Sequence, residues 1–175
     1  MDDIRCLWGR GFVASAGSET TPLTAVAYDK DQPEIVLSVP AGTGIWIYRA
    51  EVFLESYAGT DNEIIMWTTT NAVGAGTSSA MTEQPSATNG LSTVSSDVTA
   101  RQLYTGNITQ TNYREVWRGG QTLANTNPGR FVFPEPGMPA IFVPGAGSFG
   151  IQIAASTTQP TFFAKVYWIE TATPS

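Results

Sequence analysis

Three glycines in the last third of the chain have the spacing of a nucleotide-binding motif. Gly145, Gly147 and Gly150 match the pattern G-x-G-x-x-G. In nucleotide-binding folds this pattern opens a helix, and the amino-terminal dipole of that helix holds a pyrophosphate group. Here residues 149–155 alternate between large apolar and small or polar side chains, which predicts a strand. We therefore expect the glycines to form a tight connection between antiparallel strands and to bind no nucleotide.

Two pairs of acidic residues have spacings that occur in catalytic or metal-binding sites. Glu51 and Glu55 lie on one predicted strand, and a glycosidase needs a pair of carboxylates. Arg49 lies beside them, so the sequence favours a cross-strand salt-bridge network. Asp29 and Asp31 alternate as in a calcium loop, but the further oxygen ligands and the glycine of such a loop do not follow. A solvated turn is the prediction there.

The chain is poor in the side chains that catalysis and metal binding use most often. It contains no histidine, which is the commonest general base and the commonest metal ligand. Its single cysteine, Cys6, excludes an internal disulfide and has no histidine to activate it as a nucleophile. We therefore predict a protein that is not an enzyme, with no catalytic residues, no metal site and no cofactor.

Composition limits the partners of the protein. The net charge is -6 and the nine Lys and Arg are scattered singly, so no basic cluster exists for direct binding of nucleic acid. No apolar run reaches the roughly 18 residues of a membrane span, and the acidic first residues do not form a secretory signal. Charged residues make up 14% of the chain, against about a quarter in typical domains. We expect a protein made in the cytoplasm and released by lysis.

Short apolar alternations separated by turn residues run through most of the chain. They predict roughly eight to ten strands and no long amphipathic helix, which is typical of an antiparallel β-sandwich. The longest predicted strand is 45–57. Its predicted core face consists of Trp46, Tyr48, Ala50, Val52 and Leu54.

The closing segment is predicted to be a β-hairpin whose second strand, 161–170, is apolar on both faces. One face, from Phe162 to Trp168, is predicted to be core. The other face needs a cover too. That cover is either a second layer of the same chain or another subunit. The residues predicted at a subunit interface are Phe163, Tyr167 and Ile169 of this strand and Ile45, Ile47 and Phe53 of the long strand.

Residues 1–22 are predicted to form an extended amino-terminal arm ahead of a single domain at 23–175. The segment has apolar residues among glycines with no clear period, and it ends in a loop-like run. A tryptophan in such a segment packs either on its own sheet or on a neighbouring subunit. The arm residues predicted to contact a partner are Leu7, Trp8, Phe12 and Val13. The small-residue segment 71–96 is predicted to be a long loop that also carries partner contacts.

The aromatic residues raise a separate hypothesis of carbohydrate binding. Rings on a sheet surface can stack on sugars, and Trp46, Trp67 and Trp117 are the candidates. In the alternative, these rings fill the core or a subunit interface. The sequence favours that alternative, because Trp46 and Trp168 lie on the apolar faces of their predicted strands.

Three stretches resemble a known class of proteins. They are residues 39–43 (VPAGT) with the long strand after them, residues 142–149 (FVPGAGSF), and the closing strand 163–170. Together they resemble the single jelly-roll structural proteins of tailed-bacteriophage virions, particularly capsid decoration (cement) proteins and head-fibre tips. The resemblance implies a jelly-roll sandwich, a homotrimer and an arm that contacts the major capsid protein. The segment 71–96 departs from this pattern.

The resemblance implies an adhesive function, in which the protein binds other virion proteins. A trimeric decoration protein at the capsid surface, made in the host cytoplasm, would stabilise the shell without catalysis. A carbohydrate- or receptor-binding module at a head-fibre or tail-fibre tip is the alternative. A coat protein of a small virus is a third hypothesis, which the acidic sequence disfavours because shells that bind genomes directly carry basic arms.

Overall fold

A computed structural model describes residues 10–55, 61–85, 95–121, 129–155 and 158–172. Within these ranges no helix is long and apolar enough to cross a membrane. The strands of the described residues are β1 (Gly11–Ala16), β2 (Leu23–Thr24), β3 (Ile35–Ser38), β4 (Thr43–Leu54), β5 (Asn62–Thr69), β6 (Ser79–Ala80), β7 (Thr82–Pro85), β8 (Thr99–Gln102), β9 (Arg114–Gln121), β10 (Arg130–Phe133), β11 (Ile141–Pro144), β12 (Ser148–Ala155) and β13 (Thr161–Ala172).

The strands form two antiparallel sheets packed face to face. Sheet A has the order β10-β4-β13-β1-β7, with β11 also paired to β4 and β2 to β13. Sheet B has the order β6-β8-β3-β12-β5-β9. The predicted all-β antiparallel sandwich is confirmed. The described residues contain thirteen strands instead of eight to ten, because pieces as short as β2 and β6 also pair with longer strands.

The core comes from the alternation of the central strands. On β13, the side chains of Phe162, Ala164, Val166 and Trp168 are fully buried, as predicted. The Trp168 ring stacks on Phe12 of β1, with 5.8 Å between ring centroids. Burial of apolar surface contributes about 25 cal/mol per Å². This central row therefore holds β1 and β13 together against sheet B.

The predicted arm is wrong for the part of it that the structure describes. β1 pairs with β13 on one side and with β7 on the other, so it is an integral strand of sheet A. Phe12 is 2% exposed in the core, and Val13 is half-buried on the opposite face. The missed signal is a period of two over Phe12, Ala14 and Ala16, in which two of the three core residues are small. Leu7 and Trp8 lie outside the described residues.

The predicted closing hairpin is also wrong, because β12 belongs to sheet B and β13 to sheet A. The chain crosses between the sheets there, and again between β11 and β12. At that second crossing a side chain at Gly145 would meet the Pro40 carbonyl oxygen at 2.1 Å, so only glycine fits. The glycines thus form the tight connection by which the chain passes from sheet A to sheet B. The strand predicted to follow them, in place of a helix, is confirmed as β12.

The outer face of sheet B is covered by the chain's own loops. A second apolar cluster lies there, formed by Val36, Trp67, Val73, Tyr104 and Ile108. Val36 and Trp67 come from the sheet, and the other three come from the connections beside it. The predicted long loop at 71–96 therefore contributes Val73 to this cover. Two short strands of the same segment join the sheets instead, since β6 pairs with β8 in sheet B and β7 pairs with β1 in sheet A.

Candidate interaction surface

A β-bulge in β4 determines which side chains face outward from sheet A. Tyr167 pairs with Arg49 and Trp168 pairs with Ile47, so Tyr48 is an extra residue without an opposite partner. One extra residue reverses the alternation of the strand. Ile45 and Ile47 are therefore fully buried on the inner side, as is Ala50 beyond the bulge.

The bulge corrects two predictions about β4. The sequence predicts Ile45 and Ile47 at a subunit interface on the outer face, and the structure places them in the core. Trp46 and Tyr48 were assigned to the core, yet Trp46 is 40% exposed and Tyr48 is half-buried. The signal that was missed is the mixture of isoleucines and charged residues at the odd positions of the predicted strand. A face that changes character part-way along a strand is typical of a bulge.

The outward side chains of sheet A form three aromatic pairs. Phe53 and Phe163 stack with 4.4 Å between centroids and 9° between planes. The other two pairs have centroid distances of 6.1 Å and 4.8 Å, and we call the six rings together the outer aromatic face. Its members are Phe53 with Phe163, Tyr48 with Tyr167, and Trp46 with Phe142.

A buried carboxylate lies among these rings. Glu51 is 4% exposed, and its Oε1 accepts hydrogen bonds from the guanidinium groups of Arg49, at 2.8 Å, and Arg130. Its Oε2 accepts one from the Tyr167 hydroxyl at 3.3 Å. The salt-bridge network predicted around Glu51 is thus confirmed. Burial alone would raise the pKa of Glu51, but the hydrogen bonds from Arg130 and Arg49 outweigh it and leave the pKa below its usual value.

The two arginines also contact aromatic rings. The Arg49 guanidinium lies 5.8 Å from the Tyr167 ring centroid, and the Arg130 guanidinium lies 5.2 Å from that of Phe53. Each arginine is therefore fixed by a carboxylate and by a ring face, which are its two preferred partners. Arg130 was not identified from the sequence, because it comes from β10 and meets Glu51 only through strand pairing.

The predicted interface residues are only partly brought together. Phe53, Phe163 and Tyr167 lie half-buried on the outer aromatic face. Ile169 pairs with Trp46 and so lies on the same side, but it is 2% exposed. The role of these residues in a subunit contact stays a prediction, whereas Ile45 and Ile47 lie in the core and cannot form such a surface.

Beside the bulge, the outer face opens into a cleft of about 450 Å³. The residues that line it are Tyr48, Arg49, Val132, Phe133, Pro134, Glu135 and Pro136. Glu135 is held at the rim, since its Oε1 accepts a hydrogen bond from Trp117 Nε1 at 2.9 Å.

The tryptophans proposed for sugar stacking separate into two groups. Trp67 and Trp117 are buried, as the core alternative predicts, and Trp168 is buried with them. Trp46 presents its ring to solvent beside Phe142, which is 39% exposed. Of the three candidates for a sugar platform, Trp46 is thus the one on the surface.

Among the described residues, no group of three or more His, Cys, Asp or Glu side chains is placed to hold a metal ion. No protein-family model, curated protein or solved structure matches this chain. Inference about its function therefore rests on its own residues.

Proposed function

We propose that this chain is a non-enzymatic structural protein of a tailed-bacteriophage virion, a jelly-roll decoration protein at the capsid surface. It is made in the host cytoplasm, assembles as a homotrimer and stabilises the shell by binding the major capsid protein. The observation that carries the proposal is the outer aromatic face, whose rings stay half-exposed on a sheet with a complete inner core.

The composition of this face suits a protein partner. Aromatic residues and arginine are the types most enriched at protein interfaces and at their energetic hot spots. Here Phe53 and Phe163 are already stacked, and Arg49 and Arg130 are already fixed on Glu51. Pre-ordered side chains lose less conformational entropy on binding. Association through this face would therefore lose less of the free energy of burial to side-chain ordering than association through flexible side chains would.

The capsid contact is assigned to Leu7 and Trp8, ahead of β1. Phe12 no longer belongs to this assignment, because it is part of the core, and Val13 lies beside Tyr167 in sheet A. Many symmetric copies on one shell would add avidity to a weak individual contact.

The test measures the mass of the purified full chain in solution and its binding to capsids stripped of decoration protein. We expect a trimer that binds capsids. Phe163→Ser is expected to yield monomers, because it replaces a stacked ring with a polar group. Tyr28→Ser, at a tyrosine that is 54% exposed elsewhere on the surface, is the matched control and is expected to remain trimeric.

Each result of that test bears on the proposal. A monomer that ignores capsids would overturn it entirely. A trimer that is unchanged by Phe163→Ser would remove the outer aromatic face from the assembly interface.

A second candidate function is carbohydrate or receptor binding at a fibre tip. The observation that favours it is the exposed pair of Trp46 and Phe142, with centroids 4.8 Å apart. Such rings offer apolar faces to the C–H groups of a sugar. Quenching of tryptophan fluorescence by glycans, and its loss in Trp46→Ala, would distinguish this function from adhesion between proteins.

A further inference from the structure

The bulge in β4 creates a recess with the dimensions of a ligand site. Because Tyr48 is the extra residue, both Tyr48 and Arg49 point outward, and both contact Tyr167. The segment after β10 forms the opposite wall with Pro134, Glu135 and Pro136. The volume of about 450 Å³ lies within the range of small-ligand pockets. Bulges recur beside functional sites, where they redirect side chains.

The walls of the cleft combine apolar and polar side chains. Tyr48 and the two prolines offer apolar surfaces, and Arg49 and Glu135 add polar groups. One nitrogen of Arg49 bonds to Glu51, and a guanidinium has five N–H donors, so donors remain for a ligand. Glu135 accepts from Trp117, and a carboxylate has further acceptor sites. The cleft therefore combines a ring face, a donor and an acceptor.

The charge balance argues against an anionic ligand. Arg49 shares the carboxylate of Glu51 with Arg130, and Glu135 adds a second negative charge among the lining residues. These two arginines and two glutamates sum to zero charge, so a phosphate or a carboxylate would meet no net positive charge from them. A ligand whose groups both donate and accept hydrogen bonds, and whose body has apolar patches, fits the cleft better.

We propose that this cleft binds a neutral hexose unit of a glycan. One face of a sugar ring would pack on Tyr48, while its hydroxyls would accept from Arg49 and donate to Glu135. The inference rests on the second candidate function, for which it supplies a site and a ligand class. Tyr48 also belongs to the outer aromatic face, so a trimer contact at this ring would compete with the glycan for it. A proline-rich peptide is a less suitable occupant, because such peptides dock in grooves lined by several aromatic rings. The aromatic residues that line this cleft are Tyr48 and Phe133, and Phe133 is buried.

The test applies the full chain to an array of neutral and acidic glycans. Saturation-transfer NMR with cellotetraose, maltotetraose and chitotetraose then locates the contact. We expect binding of at least one neutral glycan, with signal from the sugar C–H protons. A proline-rich peptide and inorganic phosphate serve as competing probes. Binding of either probe at the cleft in place of glycans overturns the proposal, as does the absence of binding by every neutral glycan.

Variants distinguish this cleft from the neighbouring Trp46 platform. Tyr48→Ala is expected to weaken binding about tenfold and Glu135→Gln about threefold, while Tyr48→Phe, which keeps the ring, stays within about twofold of the original chain. Tyr28→Ala is the control at an exposed tyrosine outside the cleft. Glycan binding that survives Tyr48→Ala and Glu135→Gln but is lost in Trp46→Ala overturns the cleft while leaving the second candidate function in place. Mass and capsid binding of the same variants are measured separately, because they test the decoration proposal.

Discussion

The outer faces of the two sheets differ in how far loops of the chain cover them. On sheet B, Val36 and Trp67 are covered by Val73, Tyr104 and Ile108, all of which come from connections of the chain itself. On sheet A, the rings of the outer aromatic face remain half-buried or exposed within the described residues. Both sheets therefore have aromatic side chains on both sides, but among the described residues only sheet B has its outer rings closed over by loops.

The cover of sheet B is built with specific polar contacts. The Tyr104 hydroxyl donates to the Gly74 carbonyl at 3.2 Å, and Ser38 donates to the Val73 carbonyl at 2.5 Å. These bonds satisfy the carbonyl groups of loops that lie over an apolar surface, as buried backbone requires. On sheet A the polar contacts instead fix arginines among the rings. In the described residues, loops thus cover the apolar cluster of sheet B, whereas the rings of sheet A form the surface that we propose as an interface.

The largest expected effect comes from removing the tryptophan ring that lies beneath the loops covering sheet B. Trp67→Ala is expected to lower the free energy of unfolding by about 3–5 kcal/mol, because the ring is fully buried. Trp67→Phe, which keeps a ring, should cost clearly less. Chemical denaturation followed by circular dichroism measures both. A cost below about 1 kcal/mol for the alanine variant would mean that the second cluster does not hold the loops, and the contrast between the sheets would fail.

A smaller effect is expected beneath the same ring. A side chain at Gly150 would lie 2.1 Å from the Trp67 ring, so Gly150→Ala must displace the indole from β12. We expect a loss of about 1–3 kcal/mol, as for other overpacked sites. Gly74→Ala is the matched control, since an added methyl group there meets no atom within 4 Å. Equal melting temperatures for the two variants would contradict the packing assigned to Trp67.

The sequence predicts the sandwich better than it predicts its faces. The alternation in β13 identified the core row from Phe162 to Trp168, and the alternation over 149–155 identified β12 where a nucleotide-binding motif would open a helix, because both depend on local periodicity. The salt bridge of Glu51 was also predictable, since its partner Arg49 is two residues away on the same strand.

What the sequence did not predict depends on pairing between distant strands. The bulge at Tyr48 is a property of β4 against β13, and Arg130 reaches Glu51 across 79 residues of chain. β12 and β13 are close in sequence, but they are in different sheets, and no local pattern separates that arrangement from a hairpin. The predicted interface set therefore includes two core residues of β4, Ile45 and Ile47, beside Phe53, which does face outward.

Two buried glutamates extend the comparison to pH. Glu34 directly precedes β3 of sheet B and accepts hydrogen bonds from the backbone N–H groups of Val26, at 3.1 Å, and Ile153, at 2.7 Å. Within the described part of the chain it pairs with no cation. Burial raises the pKa of Glu34 to about 8, whereas the pKa of Glu51 lies below its usual value. The folded state thus holds a proton on Glu34 that the unfolded chain has already released above pH 4.5.

The stability from Glu34 is therefore complete below pH 4.5 and is lost as pH rises towards about 8, with a slope of at most about 1.4 kcal/mol per pH unit. The contribution of Glu51 has the opposite sign, since it is lost only as the solution becomes more acidic than pH 4.5. The free energy of unfolding measured from pH 3 to pH 9 tests both contributions. Glu34→Gln should flatten its pH dependence on the alkaline side. A residual slope should remain there, because burial also raises the pKa of Glu83. An alkaline slope that is unchanged in Glu34→Gln would contradict this assignment.

The smallest expected effect on stability separates the two surfaces most directly. Arg130→Ala removes a guanidinium whose side chain is 53% exposed, so the cost should be about 0.5–1 kcal/mol. Arg118→Ala is the matched control, because Arg118 bridges Glu63 and Glu115 at 2.6 Å and 2.7 Å on sheet B and is 44% exposed. We expect similar unfolding free energies for the two variants. Sedimentation should show weaker self-association only for Arg130→Ala, because that arginine orders the Phe53 ring at the proposed interface. If both variants self-associate equally, the cation–ring contacts of sheet A are ordinary surface packing. The uncovered rings then have no interface that these contacts help to order.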